Sequence, residues 1–362
     1  MHIAFLILQL CSGGAERSTT SLANQMAKLG HRVTILALMG DGSFYPTENV
    51  DVRFLKLPEL PQGKSFSRLR AVMNRAVSLR RIVRELQPDI LVGMSHIMSA
   101  YAAFCTKGTR TVSVGTERAN PFVLYAGKAM NLLRKTTSIC CDGFVCQTEK
   151  AKSFFPKSTQ RKAAVIPNAV FNPLVFQTTV PTEREPVITA LGRLDENKGF
   201  DVLIRAFAKL HGEFPNYTLR IFGEGTSRSA LRKLVDALSL THAVSLPGVD
   251  EQAILQIARA SVFVLSSRSE GMPNALIEAM AAGVPCVSTR CDNGPKELIR
   301  DGVNGLLVAV DDENEMCDAI CRILRNRELS ESLSAQALTL RKTHGIEAIT
   351  QQWLNYFGTL LI

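Results

Sequence analysis

Two carboxylates eight residues apart, Glu270 and Glu278, carry the first chemical signal, in Arg268-Ser269-Glu270-Gly271-Met272-Pro273-Asn274-Ala275-Leu276-Ile277-Glu278. The apolar run 261–267 ahead of them predicts a buried strand. Gly271 then supplies a tight loop. Pro273 opens a helix, because a missing N–H costs nothing at the first helical position. Gly283 is a fitting stop before the next apolar strand at 285–288. Free amides at the helix start, those of Asn274 and Ala275 after Pro273, favour an anion such as a diphosphate. Carboxylates accept hydrogen bonds from polyols such as sugars. A sugar nucleotide, a diphosphate with a sugar on either side, satisfies both.

A second loop, Leu191-Gly192-Arg193-Leu194-Asp195-Glu196-Asn197-Lys198-Gly199, lies between strand and helix signals and offers two permanent cations, Arg193 and Lys198. Charge grows on a diphosphate leaving group as its bond to sugar breaks, and fixed cations act where charge develops. The alternative is a surface loop bridged to Asp195 or Glu196. Near the start, Gly13-Gly14-Ala15-Glu16-Arg17 follows an apolar run. Glycines there let amides approach a phosphate, although a plain strand-to-helix turn uses them too. It is not G-x-G-x-x-G, so no nicotinamide or flavin fingerprint is present. No D-x-D occurs, so no metal ligand set and no cofactor are expected.

Strand and helix signals alternate along the chain, predicting α/β domains with parallel sheets. Strands are expected at 3–8, 32–37, 52–57, 89–93, 111–114 and 143–146, then at 187–191, 217–222, 244–246, 261–267 and 285–288. The expected fold is two doubly wound Rossmann-like domains facing each other across a cleft lined by carboxyl strand ends. The first spans 1–172 and the second 187–340, joined by the Pro- and Thr-rich segment 172–186.

At 362 residues and 46% hydrophobic content, two soluble domains are comfortable, and no apolar run reaches the ~20 residues a membrane-spanning helix needs. The apolar start lacks a basic leading region and reads as a buried strand rather than a secretion signal. Nine cysteines without C-x-x-C read as buried free thiols of a reducing cytoplasm.

The net charge of +9 is uneven: residues 1–172 hold 23 Lys and Arg against 10 Asp and Glu, a net +13, and the rest carries −4. Six arginines flank a helical apolar pattern (Leu69, Val72, Met73, Ala76, Leu79, Val83, Leu86) within 64–86. That is either a core-facing helix with a solvated basic face or a helix lying on anionic lipid. With 6% aromatics, few of them among the basic residues, nucleic acid is not the expected partner.

Together these residues resemble the retaining glycosyltransferases of family 4, which have the GT-B fold and an E-x7-E motif. The resemblance covers nearly the whole chain and is most specific over 187–310. It implies that Arg193 and Lys198 bind the donor diphosphate, that Glu270 binds the transferred sugar, and that Glu278 binds the ribose. It implies donor contacts from Gly14, Gly271, Met272, Pro273, Asn274 and Ala275. It also implies them from Glu224 in the turn Phe222-Gly223-Glu224-Gly225 and from Val249 in the base-contacting loop Pro247-Gly248-Val249. A final helix, 346–362, is expected to pack back onto the first domain.

Many members carry a histidine where Val112-Ser113-Val114-Gly115 ends, whereas here the strand leads into Thr116-Glu117-Arg118-Ala119-Asn120-Pro121. That resembles the variant of members that transfer N-acetylhexosamines to lipid-linked oligosaccharides. The expectation is that Glu117 faces the transferred sugar as a catalytic residue and Arg118 meets acceptor phosphate. The alternative is an ion pair between the two that orders the loop. His96, after strand 89–93, is either structural or part of the site.

The resemblance implies transfer from a UDP-sugar, with UDP-N-acetylhexosamine foremost, to a polyprenyl-diphosphate-linked saccharide in bacterial capsule or O-antigen assembly. The expected place is the anionic inner face of the cytoplasmic membrane, as a peripheral protein. Two alternatives remain open: a sugar-nucleotide epimerase of the same architecture, and a non-catalytic sugar-nucleotide-binding partner.

Overall fold

The computed structural model describes residues 1–11, 13–57, 66–122 and 127–361, with backbone only at 66–69 and 128–129. Lys64 and Ser65 of the basic segment therefore lie outside the described residues, as does the Arg68 side chain. The chain divides into two units, Met1–Asn168 with Ile346–Ile362, and Ala169–Gly345.

In the first unit seven strands form one parallel sheet: β1 His2–Ile7, β2 Arg32–Ala37, β3 Asp51–Phe54, β4 Ile90–Gly93, β5 Val112–Glu117, β6 Gly143–Cys146 and β7 Ala163–Val165. Their order is β3-β2-β1-β4-β5-β6-β7, parallel throughout. The inner strands are buried on both faces, which is why β1 reads as an unbroken apolar run. The terminal helix Ile346–Leu360 belongs to this unit. Its Trp353 and Phe357 are buried, and Tyr356 accepts from the Phe144 amide at 2.8 Å while donating to the Lys162 carbonyl at 2.6 Å.

In the second unit six strands follow: β8 Glu185–Leu191, β9 Thr218–Phe222, β10 Val244–Gly248, β11 Ala260–Leu265, β12 Cys286–Thr289 and β13 Leu306–Val308. They form a second parallel sheet, β10-β9-β8-β11-β12-β13. Each sheet therefore reverses strand order beside its first strand, between β1 and β4 and between β8 and β11. In such doubly wound sheets ligands collect beyond the carboxyl strand ends next to that reversal.

Two expectations need correction. Segment 172–186 is not a free linker but part of the second unit. Asn172 caps a 3₁₀ turn at Pro173–Gln177 by accepting from the Leu174 amide, Val175 is buried, and Arg341 donates to the Val175 and Thr178 carbonyls. Asn followed by Pro is a cap-and-first-turn signal, which composition alone hid.

The helix Phe66–Leu86 turns inward most of the face its pattern suggested, with Met73 the exception. Ala76, Leu79, Val83 and Leu86 are buried, whereas Met73 and Val77 are 51% and 59% exposed. Arg75 is buried, and Arg80 donates to the Phe104 and Lys107 carbonyls at the end of helix His96–Thr106. Those carbonyls have no partner within their own helix, so the cation completes them.

Candidate active site

In the second unit, the loops after β8 and β11 are stitched together. The Asn197 amide group donates to the Ser269 carbonyl at 2.8 Å, the Arg268 amide to the Asn197 carbonyl at 2.7 Å, and Ser266 Oγ to the Lys198 carbonyl at 2.8 Å. Gly199 makes this approach possible. Its φ is +61°, and a Cβ there would lie 2.2 Å from the Ser266 carbonyl oxygen.

The stitching sets Lys198 Nζ 2.7 Å from Glu270 Oε1, and the same oxygen accepts from Ser267 Oγ at 2.6 Å. Both side chains of the pair are mostly buried. A cation and a hydroxyl thus hold one carboxylate oxygen at the mouth of the loop. Sequence reasoning found Lys198 and Glu270 but missed Ser267, which it read as the last residue of the strand.

Glu270 is followed by Gly271, Met272 and Pro273, and then by the helix Asn274–Ala281. Pro273 is its N-cap, so the helix starts one residue later than expected, and no side chain caps the first turn. Gly294, in the loop after β12, braces this turn. Its φ is +73°, and a Cβ there would fall 2.3 Å from the Gly271 carbonyl oxygen. Glu278, on the second turn, is almost fully buried.

The remaining residues expected at the donor are arranged around this core. Arg193 projects outward, with its side chain 84% exposed and Nη2 3.4 Å from Asp195 Oδ2. Glu224 Oε1 accepts from Arg228 Nη1 at 2.7 Å and lies against Gly248, immediately before Val249, which is 75% exposed. Arg268 is spent on structure, paired with Asp201 at 2.9 Å and Asp311 at 2.8 Å.

Comparison with known proteins decides what this architecture belongs to. Residues 173–339 match the family model "Glycosyl transferases group 1", and residues 12–170 match "Glycosyltransferase Family 4". A Campylobacter jejuni protein, GalNAc-α-(1→4)-GalNAc-α-(1→3)-diNAcBac-PP-undecaprenol α-1,4-N-acetyl-D-galactosaminyltransferase, is 28% identical over 98% of this chain and 97% of its own. The lipopolysaccharide core biosynthesis glycosyltransferase LpsE of Rhizobium meliloti is 29% identical over 96% of both chains. In fold, Anabaena HepE in complex with UDP superposes with a TM-score of 0.80 over 99% of this chain and all of its own, at 17% identity. The chain is a GT-B glycosyltransferase.

In the transferase's first unit, the helix Gly14–Lys28 starts straight after the β1 loop, with Gly13 as N-cap and Gly14 exposed. Glu117 departs from expectation. It is the last residue of β5 and is 3% exposed. Its Oε2 accepts from Arg134 Nε at 3.0 Å and Nη2 at 2.6 Å, and Oε1 accepts from the Ala119 amide at 3.2 Å. Burial pushes this carboxyl up, with Arg134 and the backbone amides opposing. A carboxylate engaged on both oxygens inside the unit orders a loop and does not face a sugar. The ion pair is therefore real, but its cation is Arg134 of helix Lys128–Cys140, not Arg118. His96 is half-buried, and burial together with the Arg134 charge holds its imidazole below the ordinary value.

Proposed function

We propose that this glycosyltransferase is a retaining enzyme that moves a sugar from a UDP-sugar to a polyprenyl-diphosphate-linked saccharide in bacterial surface glycan assembly, with UDP-N-acetylhexosamine the first donor to test. The observation that carries the reading is the Lys198–Glu270 pair beside the uncapped start of helix Asn274–Ala281. A diphosphate satisfies the helix amides and draws Lys198, and Glu270 released from that cation accepts hydrogen bonds from the transferred sugar. Exposed Arg193 reaches the same anion, and buried Glu278 serves the ribose side.

In the reaction the bond from the sugar anomeric carbon to the diphosphate oxygen breaks, and a bond from an acceptor hydroxyl oxygen forms on the same face. The acceptor proton passes to a leaving diphosphate oxygen, giving UDP and a glycoside of unchanged anomeric configuration. Cations and amides around the diphosphate supply the charge stabilisation without a metal ion. The undecaprenol-linked substrate in the Campylobacter relative's name supports a lipid-linked acceptor.

Among the described residues no helix is long and apolar enough to cross a membrane. Contact with the inner face of the cytoplasmic membrane is assigned to the exposed stripe Arg70, Met73, Val77, Arg81 and Arg84 of helix Phe66–Leu86. These positions recur every three or four residues on one face and join apolar to basic side chains. The test is incubation of the purified protein with a panel of UDP-sugars and a polyprenyl-diphosphate-linked saccharide. An extended acceptor and released UDP are expected, and neither product with any donor would overturn the reading.

A further inference from the structure

Four carboxyl strand ends of the first unit contribute to one polar cluster. Arg118 follows β5, Gln147 follows β6, Asn168 lies shortly after β7, and Ser18 stands on the helix that follows β1. Arg118 Nη2 donates to Ser18 Oγ at 2.6 Å and to Asn168 Oδ1 at 2.8 Å, and Asn168 Oδ1 also accepts from the Gln147 amide nitrogen. Ser18, Gln147 and Asn168 are buried, while Arg118 itself is half-buried.

The cluster lacks a negative charge. Among the described residues no carboxylate pairs with Arg118, because neighbouring Glu117 is taken by Arg134. Burial pushes the Arg118 guanidinium down to about 10, and only the more distant charge of Glu16 opposes it. Gln147 Oε1, an acceptor, is buried with no hydrogen-bond partner, and it is the guanidinium that carries the argument for an anion. A guanidinium held by neutral groups, with donors to spare and no counter-ion, is arranged for an incoming anion. Carboxyl strand ends are where such sheets take their ligands.

We propose that Arg118 binds a phosphate oxygen of a substrate diphosphate, with Ser18, Asn168 and Gln147 as positioning residues that hold its fork. This rests on the transferase reading and deepens it, since it gives the phosphate contact expected of Arg118 a built site of named partners. Two substrates supply a diphosphate: the nucleotide donor and the lipid-linked acceptor.

Calorimetric titration separates the two sources, with UDP as the donor probe and farnesyl diphosphate as the lipid probe. Arg118→Gln keeps donors for Ser18 and Asn168 but removes the charge. It should weaken one or both probes about tenfold or more, the worth of one charge-assisted contact, and Arg118→Lys should recover part of the loss. The probe that suffers identifies the substrate. Unchanged affinity for both probes in folded Arg118→Gln would overturn the assignment. If Arg118→Gln does not fold, Arg118→Lys carries the test: a loss of several-fold supports the forked contact, and none overturns it. Because the readout is binding, absence of sugar transfer with Arg118-dependent binding intact would sink the transferase reading alone.

Discussion

The two units have nearly the same strand order, yet they use their carboxyl strand ends differently. In the second unit the chemistry is contiguous: one loop gives Lys198, the next gives Ser267 and Glu270, and the two are tied by one backbone and two side-chain hydrogen bonds. In the first unit the polar cluster is assembled from positions 18, 118, 147 and 168, and a buried ion pair underneath fixes the loop that presents Arg118. One sheet carries an ion pair at its mouth. The other keeps its ion pair inside and leaves a cation without one.

The largest expected effect breaks the inner pair. Arg134→Ala strands the Glu117 carboxylate in a buried site and should cost about 3–5 kcal/mol of stability, read from denaturant unfolding. Glu117→Gln, which keeps shape and hydrogen bonding, should cost less and leave donor binding unchanged. If Arg134→Ala unfolds like the parent, Glu117 is not held as described.

The outer pair should answer in turnover rather than stability. Lys198→Ala and Glu270→Ala should each lower turnover about 10²–10³-fold with a small change in melting temperature. Lys198→Ala should also weaken UDP binding, while Glu270→Ala should affect it little. Comparable losses of UDP affinity in both would place Glu270 on the diphosphate instead.

Much of this was legible beforehand, for a physical reason. The second-unit site is a strand, a loop and a helix within 18 residues, 261–278, and local signals in apolar pattern, glycine and proline suffice to place it. The doubly wound architecture followed from the same alternation. The Arg118 cluster could not be assembled that way, because four separate strand ends meet only after the sheet forms. Arg134 was missed because the helix Lys128–Cys140 carrying it was not read from its pattern. Met73 was misplaced because its helix is apolar over a wide arc, and only packing against the sheet selects which part turns inward.

A smaller effect tests how the second-unit loops are braced. Gly294→Ala sets a Cβ against the Gly271 carbonyl at positive φ, which should cost about 1–3 kcal/mol. It should also raise the KM for the UDP-sugar, because the helix start would shift. Parent-like kinetics and stability would remove Gly294 from the account of the site.

Smallest is the surface effect. Reversing Arg81 and Arg84 to Glu should reduce binding to anionic vesicles, by about 1 kcal/mol per charge removed, with transfer to a soluble acceptor unchanged. Equal binding of parent and variant would move membrane contact away from helix Phe66–Leu86.

The central claim is that the second unit holds a sugar nucleotide through Lys198, Glu270 and the Asn274 helix start while the acceptor attacks from the leaving-group face. The most direct measurement is the anomeric configuration of the product, read by NMR coupling constants after transfer from a UDP-α-sugar. The account predicts an α-linked glycoside that is lost together with turnover in Lys198→Ala. A β-linked product, or an epimerised nucleotide sugar formed without any acceptor, would contradict it.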